Sequence, residues 1–252
     1  MRRNEEVVKR ATAWTGLMNQ RYQDMISTSV ANTKRYAEFF TLKEEEDGYD
    51  TEILVTDEDS VTAIMNHKEG KTAVLNFASY KRPGGGFIDG MLAQEEALCH
   101  ESFLYNVLSQ FPGYYSKNKE DLNSGFYRSR ALYSPDILFK ESKTCDVITC
   151  AAPNASRMIR YQTGQEKENA QALAERVLFV LNIAAEQKVD TLILGAYGCG
   201  VFKQNPKDVA ALFKYYLSTV RKGSFKKVVF AIPMKTSDNH QAFLNEFGET
   251  LK

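Results

Sequence analysis

Histidine is scarce: His67, His100 and His240 are the three in 252 residues, and they form no HxxxH or HxH pair. A histidine-based metal site therefore has no sequence support, and neither a metal nor another cofactor is expected. The four cysteines, Cys99, Cys145, Cys150 and Cys199, have neither zinc-ribbon spacing nor the density of a disulfide framework, so reduced thiols are the expectation. Net charge is absent too, with 32 Lys+Arg against 32 Asp+Glu. Without a basic field, a polyanion is not drawn in by counterion release. Nucleic acid, read by sequence or not, is not the expected partner, although a local anion site stays open. No apolar run approaches the ~20 residues of a membrane span. The amino-terminal MRRNEEVVKRATAW carries charge throughout and lacks a signal peptide's apolar stretch. A cytoplasmic protein with no membrane contact is expected.

What is present is an ordinary globular composition, 43% hydrophobic and 25% charged. From Asn4 to about Leu42 the pattern is helical: Val7, Val8, Ala11, Trp14, Leu17 and Met18 recur at three- and four-residue spacing, and Tyr36, Phe39 and Phe40 close a second run. KEEEDGYD (43–50) breaks it, and the period then changes. Short β-branched runs follow at 51–56, 72–77, 145–150, 191–195 and 226–232, apolar on both faces as a sheet covered on both sides requires. Helical stretches lie at 94–110, 165–187, 206–221 and 238–247. Alternation of this kind predicts an α/β fold with a mostly parallel sheet between helices. No Pro/Ser/Gly-rich linker divides it, so a single domain is expected. In such sheets ligands sit beyond the carboxyl ends of the strands, which directs attention to the segments after 77, 150, 195 and 232.

After 72–77 come three consecutive glycines, Gly84, Gly85 and Gly86, then Gln94-Glu95-Glu96 at the start of an amphipathic helix. The glycines leave the backbone free to take positive φ and to approach a ligand without a Cβ, although a flexible tip would look the same. Acidic residues in a first turn also complement the helix dipole. At ~100° per residue, Glu96 falls within about 20° of Phe103 and Val107 on the apolar face, while Glu95 aligns with Ser102 and Asn106 on a more polar flank. Glu96 is thus expected to point inward. Desolvation favours the protonated form of such a carboxyl, which suits it to proton transfer.

The segment GAYGCGVFKQNP (195–206) follows an apolar strand and leads into a helix at Pro206, a favoured first helical residue. Its glycines are not spaced as GxGxxG, and no acid follows at the ribose distance, which disfavours a dinucleotide oxidoreductase. The loop offers backbone N–H groups to a diphosphate, with Tyr197 and Phe202 as aromatics placed to stack on sugar or base. Cys199 reads as a small loop residue, having no histidine or acid paired with it locally. After 145–150, Asn154 is either a ribose ligand or an Asx-type turn behind Pro153, and Thr163 with Glu166 has the form of a capping box.

Together, GGGFIDGMLAQEE and the later GAYGCGVF loop resemble the macrodomain superfamily and, within it, the bacterial-type poly(ADP-ribose) glycohydrolases. The resemblance runs from about residue 50 to the carboxyl terminus. It implies a macrodomain-like three-layer α/β/α fold with a mostly parallel mixed sheet, a core over 49–252 and an extra amino-terminal helical layer over 1–48. It implies that Glu96 is the catalytic acid and that Glu95 helps hold the ribose–ribose linkage. Gly84, Gly85 and Gly86 then line the scissile bond, with Gln94 beside them. Gly198, Cys199, Gly200 and Val201 wrap the diphosphate, Phe202 braces the distal ribose, and Asn76 lies near the ribose at a strand end. Asp146, Val147 and Asn154 are candidates for adenine contact by position. Lys81-Arg82-Pro83 and Ile88-Asp89 depart from the small-residue forms of the family, which bears on substrate preference.

The reaction so implied is hydrolysis of ribose–ribose O-glycosidic bonds, with poly(ADP-ribose) or an ADP-ribosylated protein as substrate and ADP-ribose as product. Two carboxyls that straddle a glycosidic bond stand ~5–9.5 Å apart. Neighbours on one helix diverge by ~100°, so the expected scheme uses Glu96 as acid and then base. Two other readings use the same pocket: a hydrolase of single ADP-ribose groups on protein or nucleic acid, and a non-catalytic ADP-ribose-binding module, against which the intact QEE argues.

Overall fold

The computed structural model describes residues 5–43 and 48–248. Strands β1 (Lys34–Tyr36), β2 (Glu52–Thr56), β3 (Thr72–Phe77), β4 (Ala131–Leu138), β5 (Thr144–Cys150), β6 (Thr191–Leu194) and β7 (Lys227–Ala231) form one sheet in the order β1-β4-β5-β3-β6-β7-β2. β5, β3, β6, β7 and β2 run parallel, while β4 is antiparallel to both β5 and β1. The helices are α1 (Glu5–Asn32), α2 (Ser60–His67), α3 (Gln94–His100), α4 (Leu104–Leu108), α5 (Pro112–Glu120), α6 (Ser156–Tyr161), α7 (Glu166–Glu186), α8 (Pro206–Ser218) and α9 (Asp238–Phe247).

Side-chain alternation along the strands divides the interior in two. Ala73 and Leu75 of β3, Leu192 and Leu194 of β6, and Val228 and Phe230 of β7 share one core with Val177, Phe213 and Phe243 of α7, α8 and α9. Val74, Ile193 and Val229, on the intervening positions, face a second core with Ile64, Leu98, Leu104 and Val107 of α2, α3 and α4. A parallel sheet buried on both faces requires such runs, and the three-layer α/β/α expectation is met. α1 joins the second layer, burying Ala11, Met18 and Ile26.

Several sequence expectations differ from what forms. The run closing on Tyr36, Phe39 and Phe40 is not a helix: Tyr36 belongs to β1, and its ring stacks on Phe40 at 5.5 Å, both against Phe179. β4 went unread because Pro135 and Asp136 interrupt it, and the structure places a register shift between Ser134 and Ile137, with Asp136 at φ 55°. α7 starts at Glu166 behind Gln165 with no side-chain cap, so the Thr163 capping box is not made. Residue 4 and residues 44–47 of the charged break lie outside the described residues.

The helix expected over 94–110 is two helices, and Ser102 explains the break. Its hydroxyl donates to Leu98 O at 2.7 Å and accepts from Leu104 N at 3.0 Å, ending one helix and starting the next. Trp14 of α1 donates through Nε1 to Ser102 O at 2.8 Å, so the amino-terminal helix braces the corner that carries the Gln94-Glu95-Glu96 turn.

Candidate active site

Because β3 lies between β5 and β6, the segments after these three strands meet at one end of the sheet. Ala155 N donates to Phe202 O at 2.9 Å, and a Cβ on Gly198 would stand 2.8 Å from Ala152 Cβ, so the loops after β5 and β6 are in direct contact.

The turn that starts α3 is fixed to the end of β3 by Gln94. Its Oε1 accepts from Phe77 N at 2.8 Å, and its Nε2 donates to Leu75 O at 2.9 Å and to Ser60 Oγ at 3.0 Å. Gln94, expected to bind substrate, has both ends of its amide committed within the protein and holds the helix from the wall of the cleft.

Glu95 and Glu96 are both buried, at 3% and 5% exposure, and both turn to the glycine loop. Glu96 Oε1 accepts from Gly86 N at 2.7 Å and Oε2 from Ala93 N at 3.0 Å. Glu95 Oε2 accepts from Ser79 N at 2.6 Å and Oε1 from Asn76 Nδ2 at 3.2 Å. Gly84 and Gly85 have φ of 64° and 59°, and a Cβ on Gly85 would lie 2.6 Å from Glu96 Oε1 and 2.9 Å from Glu95 Oε2. Gly85 is therefore required by the approach of two carboxyls, and Gly84 by the approach of the Tyr105 ring.

This corrects the helical-wheel expectation that Glu95 occupies a polar flank. The wheel extended one helix past His100, whereas α3 ends there. Burial pushes Glu95 up to about 8, with the charge of Glu96 adding to the effect against the hydrogen bonds from Ser79 and Asn76. Desolvation thus makes Glu95 an acid-like carboxyl.

One consequence concerns stability. Between the ordinary 4.5 and about 8, the folded protein keeps a proton on Glu95 that the unfolded chain has lost, so this residue's contribution to stability falls as pH rises through that window. Glu95→Gln removes the ionisation cost. The melting temperature of the variant relative to wild type should rise from pH 5 to pH 8, by the equivalent of a few kcal/mol at ~1.4 kcal/mol per pH unit. Parallel melting curves across that range would contradict the assignment.

Beside this turn opens a cleft of about 510 Å³, lined by Asp59, Ser60 and Val61 after β2, by Phe77, by Leu92, Ala93, Gln94 and Ala97, by Ala196 and Gly200, and by Ile232, Pro233, Met234, Ser237 and Asn239 after β7. The walls after β2 and β7 lie outside the motifs of the sequence. The strand-end rule pointed to 232, but TDEDS (56–60) and IPM (232–234) carry no glycine or motif that marks them.

The backbone N–H groups of Gly198, Gly200, Val201 and Phe202 donate to no other backbone group of the described residues, whereas Cys199, Lys203 and Gln204 turn theirs inward to Ala196 O, Gly200 O and Gly198 O. A curved set of free donors is suited to a diphosphate. Val201 is 70% exposed beside it. Burial pushes the Cys199 thiol up to about 12, so it is no thiolate nucleophile. The Phe202 ring stands edge-on to Tyr127 at 5.9 Å, and Tyr127 stacks on Tyr80 at 4.2 Å, an aromatic group reaching from this loop to the segment after β3.

Five sequence candidates do not face the cleft. Tyr197 is fully buried, its hydroxyl donating to Cys150 O at 3.0 Å and its ring packed on Phe77, so it does not stack on substrate. Asn154 forms the Asx-type turn, with Oδ1 accepting from Ser156 N at 3.0 Å. Asp146 and Val147 lie before the carboxyl end of β5, Asp146 bonded to the Tyr133 hydroxyl and Val147 in the core, so neither reads adenine. Asn76 is fully buried behind Glu95 rather than lining the cleft. Among the described residues no group of three or more His, Cys, Asp or Glu side chains is placed to hold a metal ion.

A family model for the catalytic domain of microbial-type PARG matches residues 6–141, which include the glycine loop, the QEE turn and the supporting helix α1. The chain belongs to that family. Solved structures extend the likeness over the second loop. Poly(ADP-ribose) glycohydrolase (PARG) from Thermomonospora curvata is 26% identical with a TM-score of 0.83, over 97% of this chain and 100% of that one. The same enzyme bound to the inhibitor ADP-HPD gives 27% and 0.82 over the same shares. PARG from Deinococcus radiodurans in complex with ADP-ribose gives 29% and 0.77 over 88% of this chain and 96% of that one. A comparison with curated proteins gave no match. The three-layer macrodomain-like fold and PARG family membership expected from the motifs are therefore met. No helix among the described residues is long and apolar enough to cross a membrane.

Proposed function

We propose that this member of the PARG family hydrolyses the ribose–ribose bonds of poly(ADP-ribose), working from chain ends and releasing ADP-ribose, with Glu96 as acid and base. The observation that carries it is the meeting of Glu95 and Glu96 at Gly85, beside a cleft whose second loop presents free N–H groups. Both carboxyls approach one point of the glycine loop from one helix, rather than flanking a sugar from two sides. A single residue handling both proton transfers fits that arrangement better than a nucleophile and acid pair.

In this scheme the Gly198–Phe202 amides hold the diphosphate, whose charge also faces the positive centre that develops on the ribosyl carbon. Glu96 protonates the leaving hydroxyl and then takes a proton from the attacking water. Substrate entry expels water and brings negative charge, and both favour the protonated form of the carboxyl at the bond. Glu95, neutral near pH 7, can donate as well as accept a hydrogen bond, which suits a residue that positions ribose hydroxyls. We read the chain as one catalytic unit, with 49–252 as its core and 1–48 bracing the α3 corner.

The test is incubation with automodified poly(ADP-ribose) polymerase in the presence of EDTA, resolving products by length. Free ADP-ribose should dominate early time points, with few mid-length fragments, and EDTA should leave the rate unchanged. A ladder of fragments with little monomer would overturn the chain-end reading. Activity lost with EDTA and restored by zinc or magnesium would overturn the carboxyl-only scheme. Release of single ADP-ribose groups with polymer left intact would favour the mono-ADP-ribosyl hydrolase.

A further inference from the structure

One polar atom near the carboxyl pair has no partner. Asn76, fully buried at the end of β3, donates through Nδ2 to Glu95 Oε1 at 3.2 Å and to Thr149 Oγ1 at 3.3 Å, while its Oδ1 meets nothing. Thr149 stands directly opposite Asn76 in the β3–β5 register and is itself buried. A buried amide oxygen without a partner is costly, and nothing on that side of the amide holds it in its present orientation.

One end of the amide stays unpaired in either orientation, so the partners on the other side decide which end they receive. A carboxylate only accepts, a protonated carboxyl also donates, and a threonine hydroxyl does either. With Glu95 ionised, Nδ2 has two acceptors, Oε1 and Oγ1. With Glu95 protonated, the same position is better filled by an acceptor, and turning the amide by 180° brings Oδ1 to face the carboxyl O–H and the Thr149 O–H. Thr149 accepts in the first state and donates in the second.

We propose that the Asn76 amide and the Thr149 hydroxyl form a two-position relay that keeps Glu95 in one place whether it is protonated or ionised. No proton passes through the amide; the carboxyl exchanges its proton with solvent or substrate, and the amide turns to match. Asn76 and Thr149 are positioning residues for Glu95, and their value to catalysis rests on the glycohydrolase reading above. The other titratable groups whose charge acts on this pocket are Glu96 and Cys99 on α3 and Tyr115 on α5, and burial holds Cys99 and Tyr115 neutral.

The test is made on the whole chain without substrate, so that it stands apart from whether polymer is cleaved. Carbon-13 labelling of glutamate carboxyls, with assignment by Glu95→Gln, follows the Glu95 midpoint, and nitrogen-15 labelling follows the Asn76 side-chain NH₂. In wild type the Asn76 signals should move with the same midpoint as Glu95. Thr149→Ser should preserve that coupling, and Thr149→Val, which keeps shape and loses the hydroxyl, should shrink the Asn76 shift by half or more. Asn76→Leu removes a donor to the ionised form and should raise the midpoint by at least half a pH unit. Asn76 signals that stay constant through the Glu95 midpoint would overturn the relay, and that wild-type measurement requires no variant to fold. An unchanged coupling in Thr149→Val would remove Thr149 from it.

Discussion

Glu96→Gln should lower hydrolysis of poly(ADP-ribose) by ~10²–10⁴, the usual worth of general acid–base catalysis, while ADP-ribose affinity stays within a few-fold. Gln keeps the shape of the side chain, and its carbonyl oxygen can still accept from Gly86 N or Ala93 N, the two donors that Glu96 now satisfies. What is lost is the proton. The comparison with Glu95→Gln decides the assignment, because burial has made Glu95 an acid-like carboxyl in the same pocket. If Glu95 positions the ribose, Glu95→Gln should raise KM more than it lowers kcat. If Glu95→Gln instead lost turnover by ~10³ and Glu96→Gln kept it, the two roles would be exchanged, with the site and the reaction class unaffected. A purely structural Glu96 would show lost stability with full activity per folded molecule.

The site's two loops were legible because their physics is local. Consecutive glycines, paired acids at a helix start and a glycine loop ahead of Pro206 each announce themselves in a few residues. The five parallel strands were legible for the same reason, being unbroken apolar runs. What could not be read depended on distant contacts. Trp14 and Ser102 together end α3, and without that break the wheel carried Glu95 to the wrong environment. Tyr197 sits in a loop of pocket-forming residues, yet Cys150, brought close by the sheet order, takes its hydroxyl inward. Gln94 stands in the QEE motif as if for substrate, and only the pairing of its amide with Phe77 and Leu75 shows that it anchors the helix. The far wall of the cleft comes from Asp59 and Met234, whose neighbours in sequence give no hint of it.

A methyl group at Gly85 should be among the most damaging small changes in the molecule, and one at Gly200 among the mildest in the site. At Gly85 the backbone holds φ at 59°, and the new carbon would stand 2.6 Å from Glu96 Oε1 and 2.9 Å from Glu95 Oε2. Neither carboxyl has room to withdraw, since Ser79 N and Asn76 hold one and Gly86 N and Ala93 N hold the other. Gly85→Ala should therefore cost about 1–3 kcal/mol of stability. A displacement of ~1 Å at the reacting groups can lower turnover by ~10²-fold, and that is the size of loss expected here. A Cβ at Gly200 meets nothing within 4 Å, so Gly200→Ala should keep wild-type stability and near-normal turnover. Gly200→Trp, in contrast, projects a large side chain from the wall of the cleft and should weaken ADP-ribose binding by more than 1 kcal/mol, roughly a fivefold rise in Kd, with the fold intact. Calorimetry with ADP-ribose and melting curves on the three variants separate these effects. Full turnover in Gly85→Ala would detach the carboxyl pair from the glycine loop, and unchanged affinity in Gly200→Trp would place the diphosphate elsewhere than on the Gly198–Phe202 amides.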